Sequence, residues 1–121
     1  MRDHTQLEVF RLADALVVDV YRTTGMLPPE ERYGLQAQLR RAAVSIPTNI
    51  VEGCARRTTR EYLQFLNIAL GSASEVRYLL QLAVRLELLA EAPVVSIADR
   101  YGRLVRAMSS LISSNLRRAS A

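Results

Sequence analysis

The sequence predicts an all-α protein, an antiparallel up-down-up-down four-helix bundle, on three observations. Apolar residues recur at helical spacing in four successive stretches, and no stretch of strand period competes with them. Four prolines and five glycines are too few for a fold of many short strands and turns. The connections between the stretches are short, which makes consecutive helices antiparallel neighbours. The 121 residues suit one domain spanning positions 1–121, and a chain that is 50% apolar and 23% charged is globular rather than disordered.

The first helix is predicted at about residues 6–24. Phe10, Ala13, Leu16, Val17, Val20 and Tyr21 share one side, while Glu8, Arg11, Asp19 and Arg22 lie away from it. Gly25 is read as its C-terminal cap, and Pro28-Pro29 prevents continuation. The second helix is predicted at 30–56. Leu35, Leu39, Ala43, Ile46 and Ile50 make its apolar face, and Gln38, Arg41, Ser45, Asn49, Glu52 and Arg56 an opposing polar row. Both stripes persist across Pro47, which removes a backbone donor and crowds the carbonyl of Ala43. The expectation is therefore one helix kinked near Pro47.

A third helix is predicted at 59–89, opened by a capping box between Thr58 and Glu61. In its first half, Gln64, Asn67, Gly71 and Ser74 fall within an arc of roughly 100°, and nearly everything else is apolar. A bundle helix normally needs one apolar stripe, so the surplus is expected to be buried by self-association. Pro93 marks the next break, and Ser96 with Asp99 offers a cap for a fourth helix at 95–117. There Ile97, Tyr101, Leu104, Val105, Met108, Leu111 and Ile112 face one way, and Arg100, Arg103 and Arg106 descend the other.

The net charge is +4, and all sixteen basic residues are arginines, whose planar fork suits phosphate and carboxylate. Antiparallel threading gathers Arg2, Arg56, Arg57, Arg60, Arg117 and Arg118 at one end of the bundle, against Asp3, Glu8, Glu52 and Glu61. The opposite end balances Arg22, Arg32, Arg85 and Arg100 with a larger acidic set that includes Asp19, Glu30, Glu31 and Glu91. Arg56, Arg57, Arg60, Arg117 and Arg118 are thus the candidate contacts to an RNA or DNA backbone. The alternative for these arginines is a solvated end that only aids solubility. Arg100, Arg103 and Arg106 offer a second basic stripe, or simply the wet face of an amphipathic helix.

Two runs carry a family resemblance. RRAAVSIPTNIVEG (Arg40 to Gly53) and EYLQFLNIALGSASE (Glu61 to Glu75) resemble the second- and third-helix signatures of the bundle proteins encoded in intervening sequences of bacterial 23S ribosomal RNA genes. The resemblance spans Gln38 to Ala83, with departures at Cys54, where an aromatic is frequent, and at Thr58-Thr59, where serine is usual. It implies a homopentameric ring. It also implies kinship with the accessory protein of diversity-generating retroelements, which binds nucleic acid and a reverse transcriptase. It brings no catalytic residues.

Ser45, Asn49 and Glu52, within the first run, form a polar row beside Pro47 that suits a subunit interface, the kinked turn or a ligand. Cys54 cannot form an internal disulfide, which favours a reducing cytoplasm. It reads as a buried small hydrophobe, or as an activated thiol beside Arg56 and Arg57. Tyr62, Phe65 and Tyr78 read as core or interface, or as base-stacking platforms. His4 is the only histidine, so no metal or cofactor is expected. No nucleophile–base pair, paired carboxylates or phosphate-cradling glycine loop appears, and no enzyme is expected. Neither a leader in MRDHTQLE nor a membrane span is expected. Two functions follow: an oligomeric accessory protein that binds RNA or DNA, or a structural scaffold that docks another protein.

Overall fold

The computed structural model describes residues 2–120, the side chain of Ser120 excepted. Four helices, α1 (Glu8–Thr24), α2 (Leu35–Cys54), α3 (Thr59–Arg85) and α4 (Glu91–Ser120), make up the described chain, with short 3-10 turns at His4–Gln6 and Pro29–Glu31 and no strand. Each helix packs on its neighbour in sequence and α4 closes back on α1, while the backbones of the diagonal pairs stay apart. The predicted four-helix bundle is therefore the fold.

α1 buries Val9, Ala13, Leu16, Val20 and Thr24, a spacing of three and four residues that keeps one stripe on the core. Gly25 is the C-cap of α1, as expected, in the right-handed region (φ −62°) with its N–H returned to the carbonyl of Tyr21. The end of α1 is also held from α2. Arg40 donates from Nε to Thr24 Oγ1 (2.9 Å) and from Nη2 to the carbonyl of Tyr21 (3.0 Å), and Gln36 donates to the carbonyl of Thr24 (3.0 Å). These bonds tie α2 to the last turn of α1, whose Tyr21 and Thr24 carbonyls also accept the N–H groups of Gly25 and Leu27 (both 3.1 Å).

α2 starts at Leu35, five residues later than predicted. The Pro-Glu-Glu segment forms a separate 3-10 turn, and Glu31 then accepts the N–H of Leu35 (3.1 Å) as an external cap. Gly34 permits this, because a Cβ there would stand 2.8 Å from the Glu31 carboxylate. α2 runs unbroken through buried Pro47, one helix rather than two. At its far end Gly53 lets α3 approach closely: a Cβ would lie 2.9 Å from Phe65 Cβ and 3.3 Å from Tyr62 Cδ1.

α3 opens at Thr58 as predicted, with Thr58 Oγ1 accepting the N–H of Glu61 (3.1 Å). The Glu61 carboxylate takes the Thr58 hydroxyl (2.9 Å) in place of the backbone N–H that a full capping box uses. The helix ends at Arg85 rather than 89. Glu87 turns left-handed (φ 60°), and the N–H groups of Glu87 and Leu88 return to Val84 and Ala83 (both 2.9 Å). α4 begins at Glu91, so Ser96 and Asp99 lie inside it and cap nothing. Pro93 sits within the first turn, where its missing N–H has no intrahelical partner to lose.

The surplus of apolar residues on α3 is consumed within the chain. α3 is wedged between α2 and α4, so it needs two apolar stripes, and Leu63, Leu66, Ala69, Ala73, Val76, Leu79, Leu80 and Ala83 are all buried. Only Ile68 and Tyr78 remain as large exposed apolar side chains in α3. The inference that this helix is too apolar for a single chain is thereby corrected.

Candidate nucleic-acid interface

The basic end is built where α2 passes into α3. The N-terminal segment lies across this junction. The backbone N–H of Arg2 bonds the carbonyl of Cys54 (3.2 Å), its guanidinium stacks on the Tyr62 ring (3.9 Å), and it reaches Thr59 Oγ1 (3.4 Å). α4 returns to the same end. Gly102 faces Arg77, and counting equally back along α3 and forward along α4 brings Glu61 level with Arg118. Arg117 and Arg118 occupy the last turn of α4, where the helix dipole favours positive charge.

The five candidate arginines are not equivalent. Arg56 is half-buried, lies over the Phe65 ring (4.7 Å) and pairs with Glu52 (3.7 Å), and its Nε is buried without a partner. Arg57, Arg60, Arg117 and Arg118 are exposed and form no ion pair among the described residues. Three of the four acidic residues sharing the end are engaged locally, Asp3 by Thr5, Glu52 by Arg56 and Glu61 by Thr58, while Glu8 is exposed and makes no ion pair among the described residues. Both hydrogen bonds from Thr5 hold the Asp3 carboxyl below its ordinary range. Four unopposed guanidiniums on a helical end can meet phosphate oxygens directly.

The polar row divides. Asn49 Nδ2 donates to the carbonyl (2.7 Å) and hydroxyl (3.0 Å) of Ser45, and that hydroxyl meets Ser72 Oγ (3.0 Å), a bridge from α2 to α3. Glu52 stays outside this network with Arg56. Cys54 is 1% exposed, and burial pushes its thiol up, outweighing the lowering by Arg2. An activated thiol is thus excluded, and the packed reading holds. Tyr62 is core, Phe65 half-buried and Tyr78 exposed, with Arg85 near its ring (5.9 Å). His4 packs edge-on against Phe10 (4.7 Å), and no group of His, Cys, Asp and Glu among the described residues could hold a metal. None of the described helices is long and apolar enough to cross a membrane. Arg100 leaves the α4 stripe, because it pairs with Asp19 of α1. Sequence reasoning missed Arg77, which reaches the same flank from α3; the one signal was Gly102, a gap in α4 where no side chain keeps it away.

A four-helix bundle with a basic end and no metal-binding cluster among its described residues is the class that these features define. The chain belongs to the 23S rRNA-intervening sequence protein family, which it matches over residues 5–110. It is similar to the crystal structure of a protein of unknown function of the S23 ribosomal protein family from Bacteroides thetaiotaomicron. The two are 25% identical, with a TM-score of 0.80 over 87% of this chain and 95% of that one. No curated protein matches it.

Proposed function

We propose that this chain acts without catalysis, as a homo-oligomeric accessory protein of the cytoplasm that binds the phosphate backbone of RNA or DNA at its arginine-bearing end. The observation that carries this reading is the set Arg57, Arg60, Arg117 and Arg118, exposed together at one end with no carboxylate partner among the described residues. Arg56 contributes by packing over Phe65 and setting the turn. Five copies in a ring, the number that the family resemblance implies, would repeat the four arginines into a continuous basic face. Support for assembly comes from the α1–α2 side, where Met26 and Tyr33 in the connection are 75% and 87% exposed and exposed Tyr21 and Val44 line one shallow groove between the two helices.

A salt titration of binding to labelled RNA and DNA tests the reading. With four arginines each meeting a phosphate, the logarithm of affinity should fall with that of salt at a slope of about −3 per chain on a single strand and about −3.6 on duplex DNA. Arg57→Glu with Arg60→Glu should abolish binding at low salt. Salt-independent affinity, or unchanged binding in that variant, sinks the proposal and leaves a protein-docking scaffold as the surviving function.

A further inference from the structure

The flank between α3 and α4 holds a second convergence of positive charge, separate from the basic end. Gly102 has no side chain, and two guanidiniums lie over it from different helices. A Cβ at that position would meet Arg77 Cζ and Nη2 at 3.4 Å and Arg106 Nη1 at 3.5 Å. Those two nitrogens therefore stand no more than about 7 Å apart. Neither arginine has an ion pair, hydrogen bond or aromatic ring partner among the described residues. Exposed Arg103 stands next to Gly102 in sequence.

Like charges held this close repel, and an oxyanion placed between them removes the repulsion while accepting charge-assisted bonds from both. The surroundings indicate which oxyanion. Ser74, Tyr78 and Gln81 line the groove beside Arg77, adding a hydroxyl, a phenol and an amide as donors. A tetrahedral phosphate has enough oxygens to use several such donors at once, and a carboxylate has only two. Asp99 and Glu91 share the adjoining stretch of groove with Arg77 without an ion pair to it, so they bound the positive region on one side.

We propose that Arg77 and Arg106 form a phosphate-binding clamp over Gly102. The clamp lies about a third of the way along α4, on the side of the bundle, and does not depend on the basic end. A backbone phosphate of a nucleic acid and free inorganic phosphate present the same chemistry, and the experiment separates them.

The full chain and its Arg77→Gln, Arg106→Gln and doubly substituted forms are to be compared, with Arg22→Gln removing the same charge at an exposed site elsewhere. Two quantities are measured: the rise in Tm caused by inorganic phosphate, and the low-salt affinity for a labelled single-stranded oligonucleotide. Phosphate should raise the Tm of the parent and of Arg22→Gln by clearly more than an equal ionic strength of chloride does, and the doubly substituted form should lose most of that excess. If a strand uses the clamp, its Kd should weaken about 3-fold in each single variant and at least about 10-fold in the double one. A phosphate response without any strand effect supports a free-phosphate site. A doubly substituted form that matches the parent in both measurements overturns the clamp, as does a parent indifferent to both ligands. Strand binding lost in Arg57→Glu/Arg60→Glu but retained without Arg77 and Arg106, with no phosphate response, leaves the end interface standing alone. A phosphate response through Arg77 and Arg106 in a protein that binds no strand leaves the clamp standing alone.

Discussion

The phenol of Tyr101 enters the core with its hydroxyl unpartnered among the described residues. Burial pushes this group far above the ordinary tyrosine range, Asp19 raises it further and Arg100 opposes them. Tyr101→Phe removes a polar atom that was desolvated for nothing, so stability should hold or rise by about 1 kcal/mol at neutral pH in urea denaturation. The sign of the pH effect follows from the raised value. The unfolded tyrosine ionises near pH 10.0 while the folded one keeps its proton, so the parent loses stability as pH climbs past that point. The loss should approach about 1.4 kcal/mol per pH unit, and the phenylalanine variant should lack this share of it. Glu87 carries a second local cost as a non-glycine residue at φ 60°. Glu87→Gly should raise stability by about 1 kcal/mol, seen as a Tm several degrees higher. No rise in Tm would mean that its side chain compensates the strained backbone.

At the scale of the elements, glycines on two helices give opposite expectations. Gly71 is exposed inside α3 with nothing within 4 Å of where a Cβ would stand, whereas the same atom at Gly53 would press on Phe65. Gly71→Ala should therefore stabilise by about 0.5–1 kcal/mol through helix propensity alone. Gly53→Ala should destabilise by about 1–3 kcal/mol, because α2 and α3 must separate to admit it. Paired thermal melts check both, and equal shifts would show that the close approach is not limiting. Helix number, order and the Thr58 cap were legible because each rests on local spacing or on residues three apart. The start of α2 was not, since Glu31 caps it from outside across Gly34. The end of α3 was hidden because no glycine marks its left-handed residue. In the candidate site, exposed Arg57, Arg60, Arg117 and Arg118 could be placed by threading alone. The ties of Arg56 to Phe65 and of Arg100 to Asp19 depend on side-chain geometry that periodicity does not encode.

Across the whole molecule, the two most exposed apolar side chains and the arginines of the basic end occupy different places. Arg57, Arg60, Arg117 and Arg118 mark one end, and Met26 and Tyr33 sit in the α1–α2 connection at the other. An assembly held through that connection would leave the arginines free. Met26→Ser with Tyr33→Ser should change the unfolding free energy of the single chain by no more than about 0.5 kcal/mol, because both side chains already face solvent. The same pair should lower the mass measured by sedimentation or native mass spectrometry if the proposed ring uses this surface. An assembly of unchanged mass would move its contacts elsewhere on the bundle.

The lodging of Arg2 against Tyr62 and the carbonyl of Cys54 has a kinetic consequence. The sole thiol of the chain lies beneath the N-terminal segment, so a bulky alkylating reagent reaches it only when that segment lifts away or the bundle opens. The labelling rate of Cys54 is then a clock on the detachment of the N-terminus, slow in the parent and faster in Arg2→Ala. A ligand that seats on the basic end and pins the segment should slow the clock without touching the sulfur.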